Sequence, residues 1–323
     1  MQKGEETVKA VSSIVLTLCL LDVIHAQEPY PLSIRVPEGS PAPVYQRAQI
    51  TSRDGTKLTV HEWVPPRRLA GKPVALFLHG IGMHGEPYGS IAAGFTTRNI
   101  PFIVPDLRGH GRSEGARTEL VSPQVMRSDI GAVFRWIYKR YPDAPVVLLG
   151  DSMGGVIATD YAWRGEQALA GLVLIVPAFE LNRAQWQNPF GDVGSLVKKG
   201  VIVLGSESKM RPSTQSAGFL KARLADRLAL QEVKLSYLTT IKEMQMERWK
   251  AAAEIKVPLF ICVAENDQVI DNKTVRHFFD HAATPKEEKT WLKLDGAYHT
   301  VCWDPATPFF IDELTQWILK RAK

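Results

Sequence analysis

The sequence predicts an α/β fold: a mostly parallel, eight-stranded sheet with helices on both faces and one helical insertion. Three observations predict it. Apolar runs of strand length alternate with helical patterns along most of the chain. The run Pro145-Val146-Val147-Leu148-Leu149 enters Gly150-Asp151-Ser152-Met153-Gly154, and a helix-competent stretch from Gly155 to Trp163 follows directly. The alternation breaks once, between Pro177 and Val257, where a crossover helix needs far fewer residues. At 323 residues, 45% hydrophobic and 23% charged, the chain is long enough for one large core plus that insertion.

In order, strands are expected near 46–51, 58–64, 74–79, 102–105, 146–150, 172–176, 258–264 and 289–294. Helices are expected near 87–98, 122–141, 153–164, 272–281 and 307–321. The first two strands are adjacent and joined by Ser52-Arg53-Asp54-Gly55-Thr56, which predicts an antiparallel hairpin at one edge. The domain boundaries that follow are a core over 45–177 and 258–323, with the insertion over 178–257.

A G-x-S-x-G pentapeptide between a strand and a helix is the nucleophile-elbow pattern. The turn is too tight for side chains on its flanks, and its strain lifts the serine hydroxyl clear of the backbone. Ser152 is therefore the expected nucleophile. A free serine is weak, so it needs a histidine to take its proton and a carboxylate to fix that histidine's tautomer. In this arrangement the chain order is Ser, acid, His. Asp267 sits just past the apolar run Val257–Ala264, and His299 lies in the loop after Thr290–Leu294. The rivals are weaker: Asp271 is placed to cap a helix starting near Asn272, Glu265 is the second choice, and Asp295 is too near His299.

The oxyanion donors are expected to be backbone amides. Lys72–Leu78 is a strand running into His79-Gly80-Ile81-Gly82, so Ile81 supplies one amide and Met153 the other. His79 is expected to brace that loop through backbone hydrogen bonds. In Asp106-Leu107-Arg108-Gly109-His110-Gly111-Arg112-Ser113, Asp106 and Arg108 are expected to satisfy buried backbone groups, and His110 to be non-catalytic.

Phe77-Leu78-His79-Gly80, the Asp106–Ser113 motif, the Ser152 elbow and the Asp267/His299 pair resemble the α/β-hydrolase branch of monoacylglycerol lipases and lysophospholipases, sometimes labelled serine aminopeptidase-like. The resemblance covers roughly residues 45–320, and four ordered motifs together are far more specific than one. It implies an α/β-hydrolase fold and cofactor-free hydrolysis of a lipid-like or other small acyl ester. One departure is Asp151, where that branch usually carries histidine. A peptidase holding a substrate ammonium on insertion acids such as Glu180, Asp192, Glu207 and Asp226 is the alternative, with a non-catalytic binding protein behind it. An aspartate-nucleophile dehalogenase is excluded by Ser152.

In this fold the insertion is a cap over the site. Val193–Leu204 is more apolar than a solvated surface, which reads as packing of the cap on the sheet or as a rim for acyl chains or a lipid interface. At the amino terminus, Val11–Leu21 is too short to span a bilayer comfortably and precedes an acceptable cleavage site after Ala26. It predicts an export signal over 1–26, followed by a proline-rich arm over 27–44. Removing 1–26 takes away two lysines and three acids, so the net charge of +5 becomes +6. No basic run with stacking aromatics suggests nucleic acid. The histidines are scattered and no C-x-x-C occurs, so no metal site is expected. Of the 3 cysteines, Cys262 and Cys302 lie in the core region, where a disulfide between them is conceivable.

Overall fold

The computed structural model describes residues 30–39, 41–67, 71–182 and 201–321. The expected export signal lies outside these residues, as do Asp192 and the first part of the apolar segment 193–204.

The strands are β1 (Val44–Thr51), β2 (Lys57–Val64), β3 (Val74–Leu78), β4 (Phe102–Pro105), β5 (Val146–Asp151), β6 (Gly171–Ile175), β7 (Val201–Val203), β8 (Glu232–Lys234), β9 (Leu259–Ala264) and β10 (Lys289–Leu294). Eight form one sheet in the order β1-β2-β4-β3-β5-β6-β9-β10. β2 runs antiparallel to both of its neighbours, β1 and β4, and every other pairing in the sheet is parallel. The hairpin stands at one edge, with Thr51 opposite Lys57.

Burial explains the sequence pattern. β3, β5, β6 and β9 are buried along their whole length, because helices cover both faces of a parallel sheet. Their near-continuous runs of Val, Leu, Ile and Phe follow from that. Each fully buried side chain of this size contributes about 1.5–3 kcal/mol through the apolar area it removes from water. At the edges, β1 is mostly exposed and β10 half-buried. Among the covering helices, α1 (Gly89–Thr96), α2 (Pro123–Arg140) and α3 (Met153–Arg164) follow β3, β4 and β5. Ser122 caps α2 by accepting from the Val125 amide, and Pro123 suits the first turn because its missing N–H is not needed there. The helices Asn272–His281 and Thr307–Leu319 follow β9 and β10.

The connection between β6 and β9 holds the helices Glu207–Met210, Ala217–Ala225, Leu235–Met246 and Arg248–Glu254. It also holds the antiparallel pair β7–β8, where only helical material was expected. Three residues per strand are too few to carry a period-two signal. The described part of the arm is bound to the protein. The amides of Ser33 and Ile34 donate to the Ser90 carbonyl at 3.2 and 2.9 Å, and the Tyr30 hydroxyl donates to Asp226 over 2.9 Å. Cys262 and Cys302 are both buried free thiols, so no disulfide joins them. No helix among the described residues is long and apolar enough to cross a membrane.

Candidate active site

The carboxyl ends of β3, β5, β9 and β10 converge on one place, where parallel α/β sheets gather their ligands. β5 ends in the elbow. Ser152 has φ 53° and ψ −112°, a left-handed conformation costly for a non-glycine residue. The flanking glycines are sterically required. A Cβ on Gly150 would lie 2.2 Å from the Gly154 carbonyl oxygen, and one on Gly154 would lie 2.1 Å from the Leu78 carbonyl oxygen. The strain turns the Ser152 hydroxyl toward His299, whose Nε2 is 2.9 Å away.

His299 Nδ1 is 2.7 Å from Asp267 Oδ2. Two loops are stitched together to bring them there, since the Asn266 amide donates to the Ala297 carbonyl over 2.9 Å. The other oxygen of Asp267 accepts the amides of Val269 and Ile270 at 2.8 and 3.1 Å, which orients the carboxylate. With Nδ1–H donating to Asp267, the Nε2 lone pair of neutral His299 faces the serine hydroxyl, the tautomer a general base requires. Burial disfavours the charged imidazole. The charge and hydrogen bond of Asp267, with the charge of Asp151, outweigh that, and the His299 pKa is raised above its ordinary 6.5.

The rival carboxylates have other work. Asp271 caps the helix from Asn272 by accepting the Lys273 and Thr274 amides. Glu265 is exposed and bonds Lys293 and the Gly296 amide, each over 2.8 Å. Asp295 is also exposed and pairs with Lys293 rather than orienting the His299 loop. That task falls to Asp304, which accepts the Tyr298 amide over 3.0 Å.

The loop after β3 lies beside the elbow because β3 pairs with β5, Leu78 opposite Gly150. Ile81 and Met153 border the same cavity as Ser152 and His299. Met153 opens α3, so its amide stands outside the intrahelical ladder. His79 braces the loop as expected: Nδ1 donates to the Gly80 carbonyl over 2.9 Å and Nε2 accepts the Leu107 amide over 3.0 Å. Burial drives its pKa down to about 3, so it stays neutral. Burial likewise lowers His110 to about 4, and its Nε2 lies 2.8 Å from the Tyr237 hydroxyl.

Two expectations need correction. Among the described residues the Arg108 side chain bonds no backbone group; it pairs with Asp54 and Asp129 at 2.8 and 2.7 Å. Asp106 does take the backbone role, accepting the Gly85 and Arg112 amides. The histidines are also not scattered in space: buried His61, His84 and Asp106 offer ligand-type atoms within 4.8 Å of one another. Folding brings together what sequence distance hid. These groups are already engaged, His61 with Asp106 at 3.0 Å and His84 with Asp226 at 2.8 Å.

Over Ser152 and His299 lies a cavity of about 760 Å³. Its walls are mainly apolar, and the connection between β6 and β9 contributes Ile202, Leu204, Phe219 and Leu238. Two buried residues that border it, Tyr88 and Arg223, carry no local sequence signal. Each has at least one partner distant in sequence, Asp151 for Tyr88 and Gly82 for Arg223.

Fold and site together define an α/β-hydrolase with a hydrogen-bonded Ser–His–Asp line at the sheet's carboxyl edge. The chain belongs to the hydrolase family described as serine aminopeptidase, S33, whose model matches residues 71–306. It is 25% identical over 286 residues to the monoglyceride lipase of Rattus norvegicus, covering 86% of this chain and 92% of that protein. It is 26% identical over 247 residues to phospholipase YtpA of Bacillus subtilis (strain 168), covering 73% and 92%. Among solved structures, a soluble variant of Saccharomyces cerevisiae monoglyceride lipase with a substrate analogue superposes with TM-score 0.74 at 17% identity, covering 91% of this chain and 99% of that one. The α/β-hydrolase GrgF from Penicillium superposes with TM-score 0.65 at 14% identity, covering 86% and 99%.

Proposed function

We propose that this chain is a serine hydrolase of carboxylic esters that acts on single-chain acyl esters of the monoacylglycerol or lysophospholipid kind. The observation that carries the reading is the line Ser152–His299–Asp267, bonded at 2.9 and 2.7 Å, opening into a mainly apolar cavity of about 760 Å³. That volume falls in the range of sites that enclose a small organic ligand. The monoglyceride lipase and phospholipase relatives support the same substrate class.

The chemistry runs through these residues. His299 Nε2 takes the Ser152 proton as Oγ attacks the ester carbonyl carbon. The amides of Ile81 and Met153 donate to the oxyanion, a contribution of several kcal/mol in a water-poor site. Asp267 holds the imidazolium. His299 then protonates the leaving alcohol, an acyl group stays on Ser152, and a water deprotonated by His299 releases the acid. These steps need no metal or cofactor.

The segment 178–257 serves as the cap. Leu235 borders the cavity and is 45% exposed, which supports a lipid-facing rim at its mouth. The peptidase alternative needs cap acids for a substrate ammonium, and three of the four named for that role are occupied. Glu180 pairs with Arg248 at 3.3 Å, Asp226 bonds His84 and Tyr30, and Glu207 pairs with Arg211.

A panel of acyl esters beside aminoacyl p-nitroanilides tests the reading. Each buried methylene contributes about 0.8 kcal/mol, so kcat/KM on esters should rise with chain length until the cavity is full and then fall. Negligible ester cleavage with brisk anilide cleavage would replace this reading with the peptidase.

A further inference from the structure

Asp151 precedes the nucleophile and takes no step in the chemistry above. It is 9% exposed and borders the catalytic cavity. The Tyr88 hydroxyl donates to its Oδ2 over 2.7 Å, and the same hydroxyl oxygen accepts the Gly80 amide over 3.2 Å. Tyr88 is fully buried, with its ring against Phe77 at 4.6 Å and Trp303 at 5.0 Å between centroids. A hydroxyl on so confined a ring has one place to be. The three groups therefore tie the elbow to the loop carrying Ile81, and each end of the tie is one residue from a member of the reacting set.

We propose that Asp151 is a positioning residue: through Tyr88 it holds Gly80, and with it the Ile81 amide, in register with Ser152, and its carboxylate supports the His299 imidazolium. This rests on the serine-hydrolase reading. The groups that face Asp151 are Tyr88 from the turn just before α1, Cys262 and Asp267 from β9 and its exit loop, and His299 and Cys302 from the loop after β10. Burial raises the Asp151 pKa to about 6, against the pull of the Tyr88 hydrogen bond and the His299 charge. Above that pH its negative charge is one of the causes that raise the pKa of His299. A bare carboxylate here would also repel a developing oxyanion, and the Tyr88 hydroxyl bridges it to the loop instead.

The test uses the full chain as Asp151→Asn, Tyr88→Phe and the double variant. Three quantities are measured: thermal unfolding, the rate of fluorophosphonate labelling at Ser152 against pH, and kcat and KM on a p-nitrophenyl ester. Asparagine still accepts from Tyr88 but carries no charge. Asp151→Asn should melt no lower than the wild type at pH 8, since it removes a buried charge, yet label about tenfold more slowly. The loss should fall on kcat rather than KM, and the acid limb should move down by about one pH unit. The double variant should lose less than the product of the single losses, because Asp151→Asn weakens and Tyr88→Phe breaks the same chain.

An unmoved acid limb with labelling within about twofold of the wild type would overturn the proposal. A labelling loss that merely tracks lost folded protein would overturn it too, making Asp151 structural. Wild type labelled at Ser152 but idle on every ester would sink the substrate reading alone. Wild type left unlabelled would sink the serine-hydrolase reading, and this one with it.

Discussion

The Leu230 amide donates to the Gly82 carbonyl over 2.8 Å, so the connection between β6 and β9 is tied directly to the loop carrying Ile81. Arg223 reinforces the tie, its Nη2 donating to the Leu230 carbonyl over 2.6 Å and reaching the Gly82 carbonyl at 3.4 Å. The wall of the cavity and the floor of the site are thus one hydrogen-bonded unit.

Arg223→Met keeps much of the apolar stem and removes the donors. The Leu230 carbonyl is then left in a buried place without this donor, at a cost of about 1–3 kcal/mol. A lower midpoint in denaturant unfolding, with kcat reduced more than KM is raised, is the expected result. Unchanged stability and kinetics would mean that the guanidinium holds nothing.

Replacing Asp267 by Asn should leave the fold intact and lower kcat by about 10⁴-fold, because the amide cannot fix the correct His299 tautomer. Glu265→Gln should be nearly silent, as Glu265 is exposed and bonds Lys293. Steady-state kinetics on a p-nitrophenyl ester distinguish the two carboxylates. The opposite ranking would reassign the acid.

The sheet and the hydrogen-bonded line Ser152–His299–Asp267 were legible in the sequence because each depends on short-range pattern. Buried parallel strands print continuous apolar runs, and the elbow and the Asp267 loop each follow one, while the His299 loop follows the half-buried edge strand β10. The strand expected near 102–105 is Phe102–Pro105, and the helix expected near 153–164 is Met153–Arg164. What stayed hidden is carried by long-range contact. Tyr88 meets Asp151 across 63 residues and Arg223 meets Gly82 across 141, with no local pattern to announce either. The same holds for Arg108, whose partners Asp54 and Asp129 lie on other segments.

The raised pKa of His299 gives two opposite pH dependences. Catalysis needs the neutral imidazole, so kcat/KM should fall as pH drops through a midpoint above 6.5. Stability runs the other way. A raised pKa means that the folded state binds the proton more tightly, a contribution fully present below pH 6.5 and lost as pH rises through the folded value. Relative to the wild type, His299→Gln should therefore lose more stability at pH 5.5 than at pH 8, read from paired denaturant melts. A larger loss at pH 8 would contradict the electrostatic account of the Asp267–His299 pair.

The central claim is that Ser152 is the nucleophile of a Ser–His–Asp site, and one measurement reaches it without knowledge of the substrate. The purified protein is incubated with a fluorophosphonate probe, and its peptides are mapped by mass spectrometry, beside Ser152→Ala. The account requires a single probe adduct on the peptide containing Ser152 and none in the variant. Labelling that persists in Ser152→Ala, or a wild type that takes up no probe, would contradict it.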